Sequence, residues 1–129
     1  MNALLAGGNP DAALELAYRN LVGLNEEELD GVRAQPPWPA RVAAAHAIPR
    51  EERAFSESRF DPERAAAVTV PTLLLVGPES PIWKPEAEIV AAALPDARIA
   101  ILEGQGHVAD LLAPELVAEP LLAFLNEDL

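Results

Sequence analysis

The stretch Gly104-Gln105-Gly106-His107-Val108-Ala109 is the part of this chain that reads most directly as chemistry. It sets a histidine in a glycine-flexed loop just after a strand-like run. The C-terminal ends of parallel strands are where such layered folds gather reactive groups. An imidazole placed there can take a proton from a nucleophile and return it to a leaving group. The alternative is a ring satisfied by backbone groups of its own loop. The nucleophile that His107 would serve is not found in these residues. The serines are Ser56, Ser58 and Ser80, and none stands between glycines in a Gly-x-Ser-x-Gly strand-to-helix turn.

The other candidates carry less. His46, in Ala44-Ala45-His46-Ala47, reads as a helix residue, and its distance from His107 provides no metal-ligand spacing. The absence of cysteine excludes disulfides, thiolate metal sites and a cysteine nucleophile. Trp38 and Trp83 either line an acyl or aromatic pocket or serve as packing, with packing favoured. Gly7-Gly8 is not a phosphate loop, since no Gly-Lys-Ser/Thr follows it. Glu26-Glu27-Glu28 reads as a solvated helix start, and no cofactor is implied.

Composition narrows the partners. The 129 residues are 50% hydrophobic, enough for one modest core, and carry a net charge of −12. Nucleic acid is disfavoured, because holding a phosphate backbone takes clustered Lys and Arg. Here Lys84 is the single lysine and the eight arginines are scattered. An anionic membrane surface is disfavoured for the same reason. No apolar run approaches the roughly eighteen residues of a membrane span. The opening Met1 to Gly8 is too short and uncharged for a secretory signal. A cytoplasmic location is the expectation.

The elements that must position His107 divide into two textures. Residues 1–66 read as helices between proline-rich breaks. Asn9-Pro10-Asp11 starts a helix that runs toward Gly23, with proline at its first position. Asn25 caps an acidic turn whose carboxylates sit well at a helix N-terminus. Gln35-Pro36-Pro37-Trp38-Pro39 breaks the chain, a helix covers Ala40 to His46, and another begins after Pro49. Residues 67–129 change character. Thr72-Leu73-Leu74-Leu75-Val76 is a continuous apolar run, as expected of a strand buried on both faces. A helix over Pro85–Leu94 and a second strand over Ala97–Leu102 follow. Pro114 opens the last helix, which Pro120 is expected to kink. The fold class is α/β, and this order predicts a right-handed parallel unit with its site at the strand C-termini.

Val70-Pro71-Thr72-Leu73-Leu74-Leu75-Val76-Gly77, Ala93-Leu94-Pro95-Asp96-Ala97-Arg98, Gly104-Gln105-Gly106-His107 and Pro114-Glu115, in this order, resemble the C-terminal third of α/β-hydrolase-fold proteins. Residues 1–66 resemble that family's helical cap, and 67–129 its C-terminal core portion with the histidine loop. The resemblance implies hydrolysis of an ester-like or related small substrate by a nucleophile–His–acid triad, with His107 as base. The family's first strand here leads into the loop of the triad acid. Its aspartate usually stands three residues after the strand-ending glycine, where this chain has Ser80; the neighbouring Glu79 is the provisional acid. Glu79 would hold the His107 tautomer and stabilise the imidazolium. Its alternative is a solvated loop carboxylate, while Ser80 caps the following turn or bonds His107. Glu103 reads as a strand-end surface charge.

The family's nucleophile elbow precedes the cap, so the chain resembles a half-protein: truncated, a fragment, or one component of a split enzyme. A small-molecule substrate is then expected only in a complete enzyme. A different class of reading is a non-catalytic interaction module that buries its open sheet edge against a second copy or a complementary half. Two apolar strands and a few helices bury little surface. The isolated chain is therefore expected to be oligomeric, bound to that half, or marginally folded.

Overall fold

The computed structural model describes residues 1–80 and 83–127, the side chains of Trp83 and Lys84 excepted. The chain forms two compact units, Met1–Arg59 and Phe60–Leu129. The boundary lies ahead of the composition change near residue 66. The short helix α6 (Pro62–Ala66) packs on α7 (Trp83–Ala93) and so goes with the second unit.

The first unit is helical. Helix α1 (Asn2–Ala6) precedes α2 (Pro10–Ala17), whose start is set by Asn9: its side chain accepts from the Ala12 N–H at 3.3 Å, and Pro10 takes the first helical position. A π-helical turn over Tyr18–Val22 prolongs α2 until Gly23 ends it at φ +81°. Helix α3 (Glu26–Arg33) opens with a capping box. Asn25 accepts from the Glu28 N–H, and the Glu28 carboxylate accepts from the Asn25 N–H, both at 2.9 Å. Helix α4 (Trp38–Ala44) and a 3₁₀ turn (Ala45–Ala47) lead into α5 (Ile48–Glu57). Ala13, Leu29, Val32 and Ala45 are the inner core of this unit.

Trp38 is buried there. Its ring stacks on Tyr18 at 5.9 Å between centroids, and its Nε1–H donates to the Asp11 carboxylate at 2.8 Å. Burying an indole N–H without an acceptor is costly, so Asp11 makes this packing position possible. Arg41 donates to the Tyr18 hydroxyl at 2.8 Å and extends the cluster.

The second unit holds the sheet. Strands β1 (Thr72–Val76) and β2 (Ala97–Ile101) pair in parallel, Thr72 opposite Ala97 through Val76 opposite Ile101. Helix α7 is the crossover between them and packs on both strands, as a parallel connection requires. A short helix, α8 (Ala109–Leu112), follows the histidine loop, and α9 (Pro114–Leu125) contains Pro120. At the far end of α9, Glu127 pairs with Arg98 of β2, whose guanidinium lies over the Phe124 ring at 5.7 Å. Among the described residues, no helix is long and apolar enough to cross a membrane. The strand and helix order expected from the sequence is the order observed. The five-residue β1 is only half-buried along most of its length, because the sheet of the described residues has two strands.

Candidate active site

The loops that follow β1 and β2 meet at the C-terminal end of the sheet. Hydrogen bonds continue past the ladder: the Leu102 N–H donates to the Val76 carbonyl at 2.8 Å, and the Glu79 N–H to the Gln105 carbonyl at 3.1 Å. Between these two bonds lies Gly77. A Cβ on that residue would collide with the main-chain carbonyls of Gln105 and Gly106. Glycine is therefore required by close approach, with no unusual φ needed. The Ser80 N–H closes a turn on the Gly77 carbonyl at 3.1 Å, which brings Glu79 and Ser80 beside the histidine loop.

The histidine loop is pinned on both sides. Gly104 adopts φ +71°, a left-handed conformation that lets the chain reverse after β2. The Gln105 N–H donates to the Leu102 carbonyl at 3.0 Å. Beyond His107, Val108 and Ala109 are buried, and α8 begins there with Leu111 and Leu112 donating to the Val108 carbonyl. The anchors thus flank His107 while its own ring is exposed. That arrangement fixes the main chain on either side of His107 and leaves the residue exposed.

Of the two residues considered for the acid, Glu79 is exposed, whereas Ser80 is only 7% exposed. The tie between Glu79 and the histidine loop is through its main-chain N–H. Glu103 is exposed and borders a separate cleft of about 420 Å³ between the end of β2 and α9. Neither His107 nor Glu79 lines that cleft.

The remaining candidates lie elsewhere. His46 is a helix-end residue whose Nδ1–H donates to the Ala43 carbonyl at 3.0 Å. No group of three or more His, Cys, Asp or Glu side chains among the described residues could hold a metal. Trp38 belongs to the core of the first unit, and the side chain of Trp83 lies outside the described residues. Two features go beyond the sequence reading. In sequence Gly77 is simply the glycine that ends a strand, although a glycine directly after an apolar strand is also a signal of close backbone approach. Helix α8 falls where the sequence reading has a loop, although Val108, Leu111 and Leu112 have helical spacing.

No family model matches the chain. It is 31% identical over 93% of its length to a segment of the polyketide synthase ThaQ of Burkholderia thailandensis, of which it spans 6%. The crystal structure of an α/β hydrolase from Sphaerobacter thermophilus superposes with a TM-score of 0.73 at 30% identity. That likeness covers 97% of this chain and 48% of the hydrolase. The chain spans about half the length of that solved relative and a small part of the synthase. The chain thus has an α/β fold, a helical cap-like segment followed by a partial parallel β-α-β-α unit of the kind found in the α/β-hydrolase fold.

Proposed function

We propose that this chain is the histidine-bearing part of an α/β hydrolase that cleaves an ester-like small substrate through a covalent intermediate. His107 is the general base. It takes the proton of a nucleophile held on a segment outside these 129 residues and returns it to the leaving group. Glu79 is the provisional acid, oriented toward the imidazole by a shift of its exposed side chain.

The observation that supports this reading most is the joining of the two loops. Gly77 packs on the Gln105 and Gly106 carbonyls, and the Glu79 N–H bonds to Gln105 at 3.1 Å. A carboxylate-bearing loop and a histidine loop are thereby held side by side at the C-terminal ends of adjacent parallel strands, where a third group can approach. The solvent-facing histidine between buried anchors fits the same role.

The test is hydrolysis of a short-chain p-nitrophenyl ester. The chain is assayed alone and mixed with the half of the Sphaerobacter hydrolase that it does not span. Turnover is expected only in the mixture, and His107→Ala is expected to lower it by about 10²–10⁴-fold. Glu79→Gln should lower it less and shift its pH profile. A mixture whose rate is indifferent to His107→Ala would remove the proposal. Turnover by the chain alone that His107→Ala abolishes would place the nucleophile within these residues and overturn the assignment.

A further inference from the structure

Within the first unit, α2 with its π-helical extension meets α4 through two polar contacts that flank a pair of stacked rings. Trp38 and Arg41 stand one turn apart on α4, and Asp11 and Tyr18 two turns apart on the facing segment, so each pair shares a face. The Tyr18 ring stacks on Trp38. The Trp38 Nε1–H donates to the Asp11 carboxylate, and the Arg41 guanidinium donates to the Tyr18 hydroxyl, both at 2.8 Å.

The two contacts balance differently. In the first, an N–H meets an anion and neither is left wanting. In the second, a group that can only donate meets a hydroxyl that accepts, so the hydroxyl keeps its own hydrogen to give. Among the described residues, no carboxylate pairs with Arg41 and no acceptor takes the Tyr18 O–H. The remaining guanidinium N–H groups and the phenol O–H are thus a cluster of donors with no protein acceptor. Arg19 and Arg33 of the same unit have side chains 36% and 43% exposed, and both pair with Glu15. Arg41 is half-buried, where water replaces a counter-ion less well, and has none. Asp11 shares its cluster, but the Asp11 Oδ1 is committed to Trp38.

We infer that Arg41 and Tyr18 form a binding subsite for the carboxylate of a small organic acid. A guanidinium fork matches the two oxygens of a carboxylate, and the Tyr18 O–H adds a further bond from a group already in contact with Arg41. That contact also holds the guanidinium in place before a ligand arrives, which lowers the ordering cost of binding. A single cation with the Asp11 carboxylate in the same cluster suits one negative charge and opposes a doubly charged phosphate. The adjoining stack of Tyr18 and Trp38 favours an acid with a flat, apolar body. The subsite lies wholly in the first unit and does not depend on the role of His107.

The experiment is a ¹H–¹⁵N NMR titration of the full chain with sodium benzoate at constant ionic strength, with benzamide as the uncharged isostere. Benzoate should shift the Arg41 Nε–H resonance saturably, and benzamide should leave it in place. Arg41→Lys keeps the charge but loses the fork, and should weaken binding by about tenfold or more. Tyr18→Phe keeps the stacked ring and should weaken it by about threefold to tenfold. Arg53→Gln, which removes an exposed arginine of α5, should change nothing. Far-UV circular dichroism checks that each variant is folded, and if Arg41→Lys is not, Tyr18→Phe decides. An equal response to benzamide, or no saturable shift at Arg41, would overturn the inference. So would an Arg53→Gln loss as large as that of Arg41→Lys, which would mean diffuse attraction of anions. Tighter binding of inorganic phosphate than of benzoate would give the donors to a phosphate and overturn the carboxylate assignment. None of these results bears on ester hydrolysis, so this subsite and the triad stand or fall separately.

Discussion

Replacing Gly77 with alanine attacks the contact on which the candidate site depends. The new Cβ would meet the Gln105 and Gly106 carbonyls, which are backbone atoms and cannot swing aside as a side-chain tip would. The loop that carries them is held by the Gln105-to-Leu102 bond at 3.0 Å and the Glu79-to-Gln105 bond at 3.1 Å. Forcing the loops apart costs about 1–3 kcal/mol as overpacking. Loss of the Glu79 bond adds roughly 1 kcal/mol. The expected destabilisation is therefore about 2–4 kcal/mol, or a urea midpoint lower by roughly 1–2 M at unchanged m. Gly104→Ala is the matched control. Gly104 has φ +71°, but nothing lies within 4 Å of where an alanine methyl would sit, so only backbone strain of about 1–2 kcal/mol applies. Circular dichroism follows unfolding, and ¹H–¹⁵N shifts of Gln105 to Val108 report the loop. If Gly77→Ala melts like the parent chain, or costs less than Gly104→Ala, the two loops are not in contact and the site argument fails.

Three further outcomes are expected. Asn25→Ala removes one half of the capping box of α3 and should cost about 1 kcal/mol in urea unfolding, with Asn25→Asp close to neutral. Trp38→Phe keeps an aromatic ring against Tyr18 but deprives the Asp11 carboxylate of its donor; a loss of about 1–3 kcal/mol is expected, and Asp11→Ala combined with it should be less than additive. The Arg19 guanidinium, bonded to Glu26 at 2.8 Å, holds the Glu26 carboxyl below its usual range. A carboxylate with a lowered folded pKa contributes stability above the unfolded value, and that contribution fades as pH falls through the folded value. Glu26→Gln should therefore flatten the acid limb of the stability–pH curve, weakly because the pair is exposed, and more weakly still at high salt.

The local elements and the site depend on contacts of different range along the chain. Asn9 before Pro10 and Asn25 before three glutamates mark helix starts in sequence because a cap acts within one turn of itself. The Leu-Leu-Leu run marks β1 because its length and apolarity suit a strand and little else. The short helices α1, α6 and α8 are not legible in this way. Helices of four or five residues have little intrinsic stability and form where tertiary contacts hold them.

The sequence by itself determined the α/β order, the helix caps, the parallel strand pair joined by a helix, and a histidine in a glycine loop after the second strand. Each of these follows from patterns within a few residues. Only the tertiary structure decided that Gly77 abuts the Gln105 and Gly106 carbonyls, that Ser80 is buried while Glu79 faces solvent, and that Leu73 and Leu75 turn their main-chain groups away from β2. Those facts depend on the register that places Thr72 opposite Ala97. A shift of one residue would exchange every inward and outward group, and no local pattern specifies that pairing across the long crossover.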